Sequence, residues 1–114
     1  MIRIIIVEDD PMVAQLNAAC LRAMEGFEVA GVFSNGLEAL EFLKENPVDI
    51  AALTVPKAQA PQIAALLVKC GVNAIWNFAP TDLNLPPHVV QENVHLTESL
   101  MRLSYKKRAA EEDV

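Results

Sequence analysis

The sequence of 114 residues predicts one α/β domain, doubly wound around a parallel sheet. Two short apolar runs, IRIIIV at 2–7 and VDIAALTVP at 48–56, are typical of strands that are covered on both faces. Amphipathic stretches with helical spacing alternate with these runs, and the connections between them are short. The hydrophobic content of 53% against 21% charged residues fits a compact sheet between helices.

The first half of the chain predicts a strand, a helix, a second strand and a second helix. After the strand at 2–7, Asp10 is a helix cap and Pro11 suits the first helical turn. Val13, Leu16 and Cys20 recur at helical spacing and predict the buried face of this helix. A strand follows at 27–32, and a short helix is then predicted to pack through an inner stripe of leucines, Leu37, Leu40 and Leu43.

The second half continues the alternation. A helix is expected over 58–70, ended by Gly71, and a fourth strand over 74–78. The segment 80–87 is rich in proline and predicts an irregular connection. A brief fifth strand is expected at 94–96, and Thr97 is expected to cap a last helix. The last helix is predicted to face the sheet with its apolar residues, Leu100, Met101, Leu103 and Tyr105.

The stretches IIIVEDDPMVAQLN and FEVAGVFSNGLEALEFLKENPVDI resemble the N-terminal half of response regulator receiver domains, the CheY-like family with a flavodoxin-like fold. The resemblance implies a five-stranded parallel sheet in the order 2-1-3-4-5. It also implies that Glu8 and Asp9 match the acidic pair that holds magnesium in that family. The alternative from the residues alone is that Asp10 caps a helix and that Glu8 and Asp9 are solvated acids near its N-terminus.

Three positions depart from the receiver pattern. Thr54 stands where receivers carry the phospho-accepting aspartate, and a threonine hydroxyl is a weak nucleophile without an activating base. The segment 77–79 lacks the expected hydroxyl residue, and Leu96-Thr97 replaces the expected Lys-Pro. We therefore expect no aspartyl-phosphate chemistry.

The second half, through the TVP, NFAP and NVHL stretches, resembles the nucleotide-binding domain of the redox-sensing repressor Rex, which has a Rossmann fold and senses NADH against NAD. The resemblance implies a ligand-facing edge formed by residues that follow two strands, namely Thr54, Val55, Pro56, Asn77, Phe78, Ala79 and Pro80. The sequence EDDP stands where a glycine-rich loop would bind the diphosphate, and its acids would repel that group.

Three other residues have two readings each. His88 and His95 are either isolated histidines at the surface or at a strand edge, which is the favoured reading, or metal ligands. Trp76 is either core or interface packing, which is favoured, or a stacking platform for a ligand.

Composition and charge restrict the expected partners. The net charge of −6 disfavours contact with nucleic acid, whose affinity depends on basic residues. No apolar run is long enough to span a bilayer, and Cys20 and Cys70 are expected to be buried free thiols, so we expect a soluble cytoplasmic protein. No cofactor is expected apart from weak magnesium, and no partner is required. A monomer is favoured, with a homodimer through the last helix as the alternative.

The two resemblances together suggest a designed or recombined chimera, without enzymatic or other selected activity. Its single domain would combine a receiver-like part at 1–50, a Rex-like part at 51–105 and a polar, frayed end at 106–114. One alternative is a pseudo-receiver that binds a protein partner without phosphorylation. A second is weak residual binding of a nucleotide, a phosphate or a divalent metal at the carboxyl edge of the sheet.

Overall fold

The computed structural model describes residues 1–94 and 96–112, with side chains described for 1–94 and 103–111. His95 lies outside the described residues. The elements are, in chain order, β1 (Ile2–Val7), α1 (Pro11–Arg22), β2 (Phe27–Phe33), α2 (Gly36–Leu43), β3 (Ile50–Leu53), α3 (Ala60–Lys69), β4 (Ala74–Asn77), β5 (Val90–Asn93) and α4 (Leu96–Glu112).

The five strands form one sheet in the order β2-β1-β3-β4-β5, and all four neighbouring pairs are parallel. The predicted fold class and strand order are confirmed. The central position of β3 is also confirmed, because it pairs with β1 on one side and β4 on the other. The carboxyl ends of the strands therefore lie along a single edge of the sheet.

One face of the sheet is densely covered by α2 and α3. The alternation of the strands directs Ile5, Val7 and Leu53 to this face. Ile63 and Leu67 of α3 pack onto them, as the helical spacing predicts. Pro61 lies in the first turn of α3, and Gly71 follows the helix with φ of 98°, a conformation that favours glycine.

The opposite face is covered by α1, through residues other than the predicted ones. The buried residues of α1 are Ala14, Ala18 and Leu21, whereas Val13, Leu16 and Cys20 are exposed. The prediction for this helix is wrong by one position along the chain. Small alanine side chains let the helix approach the sheet closely, and this places the larger neighbours on the solvent side.

Two further burial predictions are wrong. Leu37 of α2 is 78% exposed, and Ala39 takes its expected place beside Leu43 in the core. Cys70, like Cys20, is exposed. Cys70 follows the last helical residue of α3, so it lies beyond the face that packs on the sheet.

The fifth strand lies at Val90–Asn93, four residues before the predicted position. The irregular connection before it is confirmed, and Leu83 within the connection and Val89 at its end are buried at 6% exposure each. These two anchors bring Val90 into register with Ala74 of β4. The strand is short and polar because it lies at the edge of the sheet, so its sequence carries little strand signal.

Helix α4 does not pack on the sheet through the predicted residues that the structure describes. Leu103 and Tyr105 are 64% and 74% exposed, and the helix continues through the polar segment to Glu112. Leu100 and Met101 lie outside the described side chains. An apolar trough of about 300 Å³ remains open on the α1 face, between Leu21, Met24, Phe27 and Trp76. The alternative of a homodimer through α4 stays a prediction.

Among residues 1–94 and 96–112, no helix is long and apolar enough to cross a membrane.

The core on the α2/α3 face predicts a clear difference between two leucine substitutions in helices. Leu67→Ala removes a side chain with 0% exposure and should lower the free energy of unfolding by about 2–5 kcal/mol. Leu16→Ala, at a position 61% exposed, should change it by less than about 0.5 kcal/mol. Urea denaturation measures both. Equal effects would contradict the assignment of the core.

Candidate functional site at the carboxyl edge of the sheet

A ladder of backbone hydrogen bonds aligns the residues that follow the strands. The amide of Glu8 donates to Phe33 O (2.9 Å), and that of Thr54 donates to Val7 O (3.0 Å). The amide of Phe78 donates to Leu53 O (2.8 Å), and that of Val94 donates to Asn77 O (2.8 Å). Adjacent strands are about 5 Å apart, so Glu8, Thr54, Phe78 and Val94 stand in one row at this spacing. The row defines the carboxyl edge.

The part of the edge that follows β1 is acidic, and its carboxylates accept hydrogen bonds from neighbouring backbone amides. Asp10 Oδ1 accepts from the amides of Met12 (2.9 Å) and Val13 (3.3 Å), which confirms the predicted cap of α1. Glu8 is only 6% exposed, and its Oε1 accepts from the amide of Asp10 (3.0 Å). Asp9 is exposed. The carboxylates of Glu8 and Asp10 thus use the amides that lie at the start of α1.

A polar groove of about 610 Å³ lies between α1 and the β2–α2 connection. Glu8 and Glu38 both line it. Glu38 Oε2 accepts from the Ser34 amide (3.4 Å) and from Ser34 Oγ (3.3 Å), while Asn35 Oδ1 accepts from the Glu38 amide (2.9 Å). This arrangement is a variant of the capping box for α2, in which Glu38 reaches Ser34, the residue before the N-cap Asn35. The groove therefore presents two carboxylates and the guanidinium of Arg22, beside two helix N-termini that are capped by side chains.

The end of β3 carries an uncharged hydroxyl side chain, Thr54, which follows Glu8 in the row. Thr54 Oγ1 donates to Val7 O (3.2 Å), which binds the side chain to the end of β1. Val55 is 3% exposed and belongs to the core on the α2/α3 face. Pro56 O accepts from the amides of Gln59 and Ala60, where α3 begins.

The end of β4 is organised by a buried amide. Asn77 is 0% exposed, and its Nδ2 donates to Thr81 O (3.0 Å) and to Asn93 Oδ1 (2.9 Å). Its Oδ1 accepts from the Ala79 amide (3.0 Å). One side chain thus connects β4, β5 and the loop that follows β4. These hydrogen bonds of Asn77 fix the start of the loop to the ends of both strands.

Next to this loop, the α1 face has a small apolar pocket of about 150 Å³. Thr54, Trp76 and Phe78 line it on the sheet side, Leu21 lines it from α1, and Met24 lines it from the connection after α1. The rings of Trp76 and Phe78 are tilted against each other, with centroids 4.6 Å apart. Trp76 therefore packs at the border between the core and an open pocket, in line with its predicted packing role, and its role as a stacking platform for a ligand stays a prediction.

The structure brings most of the predicted edge residues together. Thr54 and Phe78 follow each other along the row, and Asn77 is the last residue of β4 before Phe78. Val55 and Ala79 follow the same strands and have buried side chains. The sequence analysis missed Glu38 and Asn93. The capping-box pattern of Asn35 and Glu38 was the available signal for the first of these.

The predicted metal ligands stay predictions. Within the part of the chain that the structure describes, no group of three His, Cys, Asp or Glu side chains is placed to hold a metal ion. Glu8 turns its carboxylate to a backbone amide, as given above. His88 is exposed, as expected for an isolated surface histidine.

Comparison with known families shows to which family the chain belongs. A family model described as a CoA binding domain matches residues 23–81, which is more than half of the chain. The chain belongs to the CoA binding domain family. The matched region of this CoA binding domain starts within the part attributed above to a receiver, and it crosses the junction expected near residue 50.

Curated relatives carry the name redox-sensing transcriptional repressor Rex. The protein from Clostridium tetani is 41% identical over 88 residues, which is 76% of this chain and 42% of the relative. That from Caldanaerobacter subterraneus subsp. tengcongensis is 52% identical over 66 residues, which is 58% of this chain and 30% of the relative. The chain thus spans well under half the length of these relatives, which are named as repressors and not as enzymes.

Solved structures agree with this similarity. RSP, a Rex-family repressor, in complex with NAD⁺ and operator DNA is 29% identical, with a TM-score of 0.82 over 97% of this chain and 58% of RSP. RSP in complex with NADH has a TM-score of 0.81. The response regulator domain of Thermotoga maritima CheB has 14% identity and a TM-score of 0.64 over 97% of this chain, a likeness of fold alone.

These comparisons correct several expectations. The interpretation as a designed or recombined chimera without selected activity is wrong, because similarity to natural Rex repressors extends over 76% of the chain and into both halves. The expectation of no cofactor is overturned by the RSP complexes with NAD⁺ and NADH. The exclusion of nucleic acid is overturned by the RSP complex with operator DNA. Net charge of one domain was a poor guide to the partners of such a repressor.

The hydrogen bonds of Asn77 predict a large effect for its truncation. Asn77→Ala leaves the Ala79 amide and Asn93 Oδ1 without their buried partner, so it should lower the free energy of unfolding by about 2–3 kcal/mol. Asn73→Ala, at the exposed approach to the same strand, should change it by less than about 0.5 kcal/mol. Urea denaturation compares the two. A change as small for Asn77 as for Asn73 would show that this network does not hold the loop.

Proposed function

We propose that this chain is the ligand-responsive domain of a redox-sensing transcriptional repressor of the Rex type. The proposal rests mainly on the superposition of 97% of the chain on RSP at 29% identity, in complexes with NAD⁺ and with NADH. In this role the domain binds a ligand and changes its state, and it carries out no catalysis. Operator DNA is the proposed partner of the whole repressor, and its proposed location is the cytoplasm.

The proposed ligand site is the part of the carboxyl edge at the ends of β3 and β4, where Thr54, Asn77 and Phe78 are uncharged. Thr54 supplies a hydroxyl, the loop held by Asn77 supplies backbone groups, and Phe78 supplies an apolar wall beside Trp76. A planar carboxamide ring needs this combination of apolar surface and a few fixed polar groups. The β3 and β4 ends therefore fit the nicotinamide end of NAD(H).

The β1–α1 connection does not fit the diphosphate of the same cofactor. A diphosphate needs free amides at a helix N-terminus and room for close approach to the backbone. Here the carboxylates of Asp10 and Glu8 accept from those amides, and residues 8–14 contain no glycine. The fit of the residues to NAD(H) is thus restricted to one end of the molecule.

A redox sensor must bind the two forms of its ligand with different affinities. We therefore expect saturable binding of NAD⁺ and NADH, with affinities that differ by about fivefold or more. Isothermal titration calorimetry measures both constants, and the fluorescence of Trp76, the single tryptophan, gives a second readout. Equal affinities, or no binding of either form, would contradict the proposed function.

A pair of phenylalanine substitutions locates the ligand. Phe78→Leu, at the carboxyl edge, should weaken binding of the nicotinamide ligand about three- to tenfold because an aromatic contact is lost. Phe27→Leu is the matched control, since Phe27 is also half-buried and packs on the same face at the opposite edge. It should leave the affinity unchanged. The reverse order of effects would place the ligand elsewhere on the sheet.

A further inference from the structure

We infer that Glu8 and Asp10 are specificity-determining residues, because they block the N-terminus of α1 against binding of a diphosphate. The carboxyl edge therefore binds a nicotinamide nucleoside and gains no affinity from a diphosphate on the ligand. This inference rests on the proposed function, because it takes the nicotinamide end of the ligand to lie at β3 and β4. It concerns the ligand class that the edge selects.

The amides at the start of α1 can be accounted for one by one. Asp10 N donates to Glu8 Oε1 (3.0 Å), Pro11 has no N–H group, and Met12 and Val13 donate to Asp10 Oδ1. The Ala14 amide already makes the first helical hydrogen bond, to Asp10 O (2.9 Å). The helix terminus therefore has no amide from 10 to 14 left for a phosphate oxygen.

The negative charges of Glu8 and Asp10 also disfavour binding of a diphosphate at this helix terminus. Glu8 is 6% exposed and held by the Asp10 amide, so its carboxylate cannot turn away without losing a buried hydrogen bond. A diphosphate next to the α1 terminus would lie close to this charge. Glu38 lines the same groove, and Arg22, from the last turn of α1, also lines it, so the two carboxylates outnumber the single cation there. Like charges at such distances cost free energy, most of all where burial limits screening by water.

The other half of the edge carries no such charge. Thr54, Asn77 and Phe78 are uncharged, and the adjoining pocket is lined by apolar and aromatic side chains. The edge is thus divided into an anionic part over β1 and β2 and a neutral part over β3 and β4. A ligand without phosphate avoids the anionic part and still uses the neutral one.

The test compares two probes, NADH and reduced nicotinamide riboside, which lacks phosphate. In the wild-type chain the riboside should bind as tightly as NADH or more tightly, by calorimetry. Glu8→Gln with Asp10→Ser keeps a side-chain acceptor at each position and removes both charges. This double variant should bind NADH about tenfold more tightly and leave the riboside affinity unchanged.

Glu25→Gln with Glu45→Gln is the matched control, because both residues are exposed and precede strands at the opposite edge. It should leave the ratio of the two affinities unchanged. Binding of NADH to the wild type more than tenfold tighter than the riboside would overturn this inference and support the proposed function. An unchanged ratio in the Glu8/Asp10 variant would also overturn it. Binding of neither probe to any variant would overturn both proposals.

Discussion

The parallel register of the sheet is the constraint on which the other features depend. Hydrogen bonds from Glu8, Thr54, Phe78 and Val94 to the neighbouring strands end four strands at the same level. Each connection therefore starts from the same edge, although the residues come from distant parts of the chain. The pair of β1 and β2 contains one irregularity, between Ile4 and Ile5, while the register of the other three pairs is regular. A shift of one residue in one of those regular pairs would exchange the two faces of the strand and separate the groups along the edge.

The two faces of the sheet contribute differently to this edge. The α2/α3 face is fully packed, and it fixes Val55 and Ala79 as part of the core. The α1 face is covered by one helix through small side chains, and it leaves open pockets beside Trp76 and Met24. The α2/α3 face thus supports the loops at the carboxyl edge, and the α1 face provides space beside them.

A common fold does not define the chemistry of its edge. The domain has the fold of both RSP and the CheB receiver, with identities of 29% and 14%. In this chain the edge has acidic residues, Glu8, Asp10 and Glu38, on one side and uncharged residues, Thr54 and Asn77, on the other. The CoA binding domain match from 23 to 81 includes β2, β3 and β4, so the central strand lies inside one continuous family unit.

The strand order was inferred from a family resemblance, whereas local patterns in the chain were sufficient for the fold class, the Asp10 cap and the end of α3 at Gly71. These features depend on nearest neighbours and on the alternation of apolar residues, which the chain displays directly. Tertiary structure decided which face of α1 is buried, where β5 pairs and how Asn77 connects β4 with Asn93. Such features depend on how closely two elements approach and on contacts between residues far apart in sequence, and neither quantity is present in a local pattern.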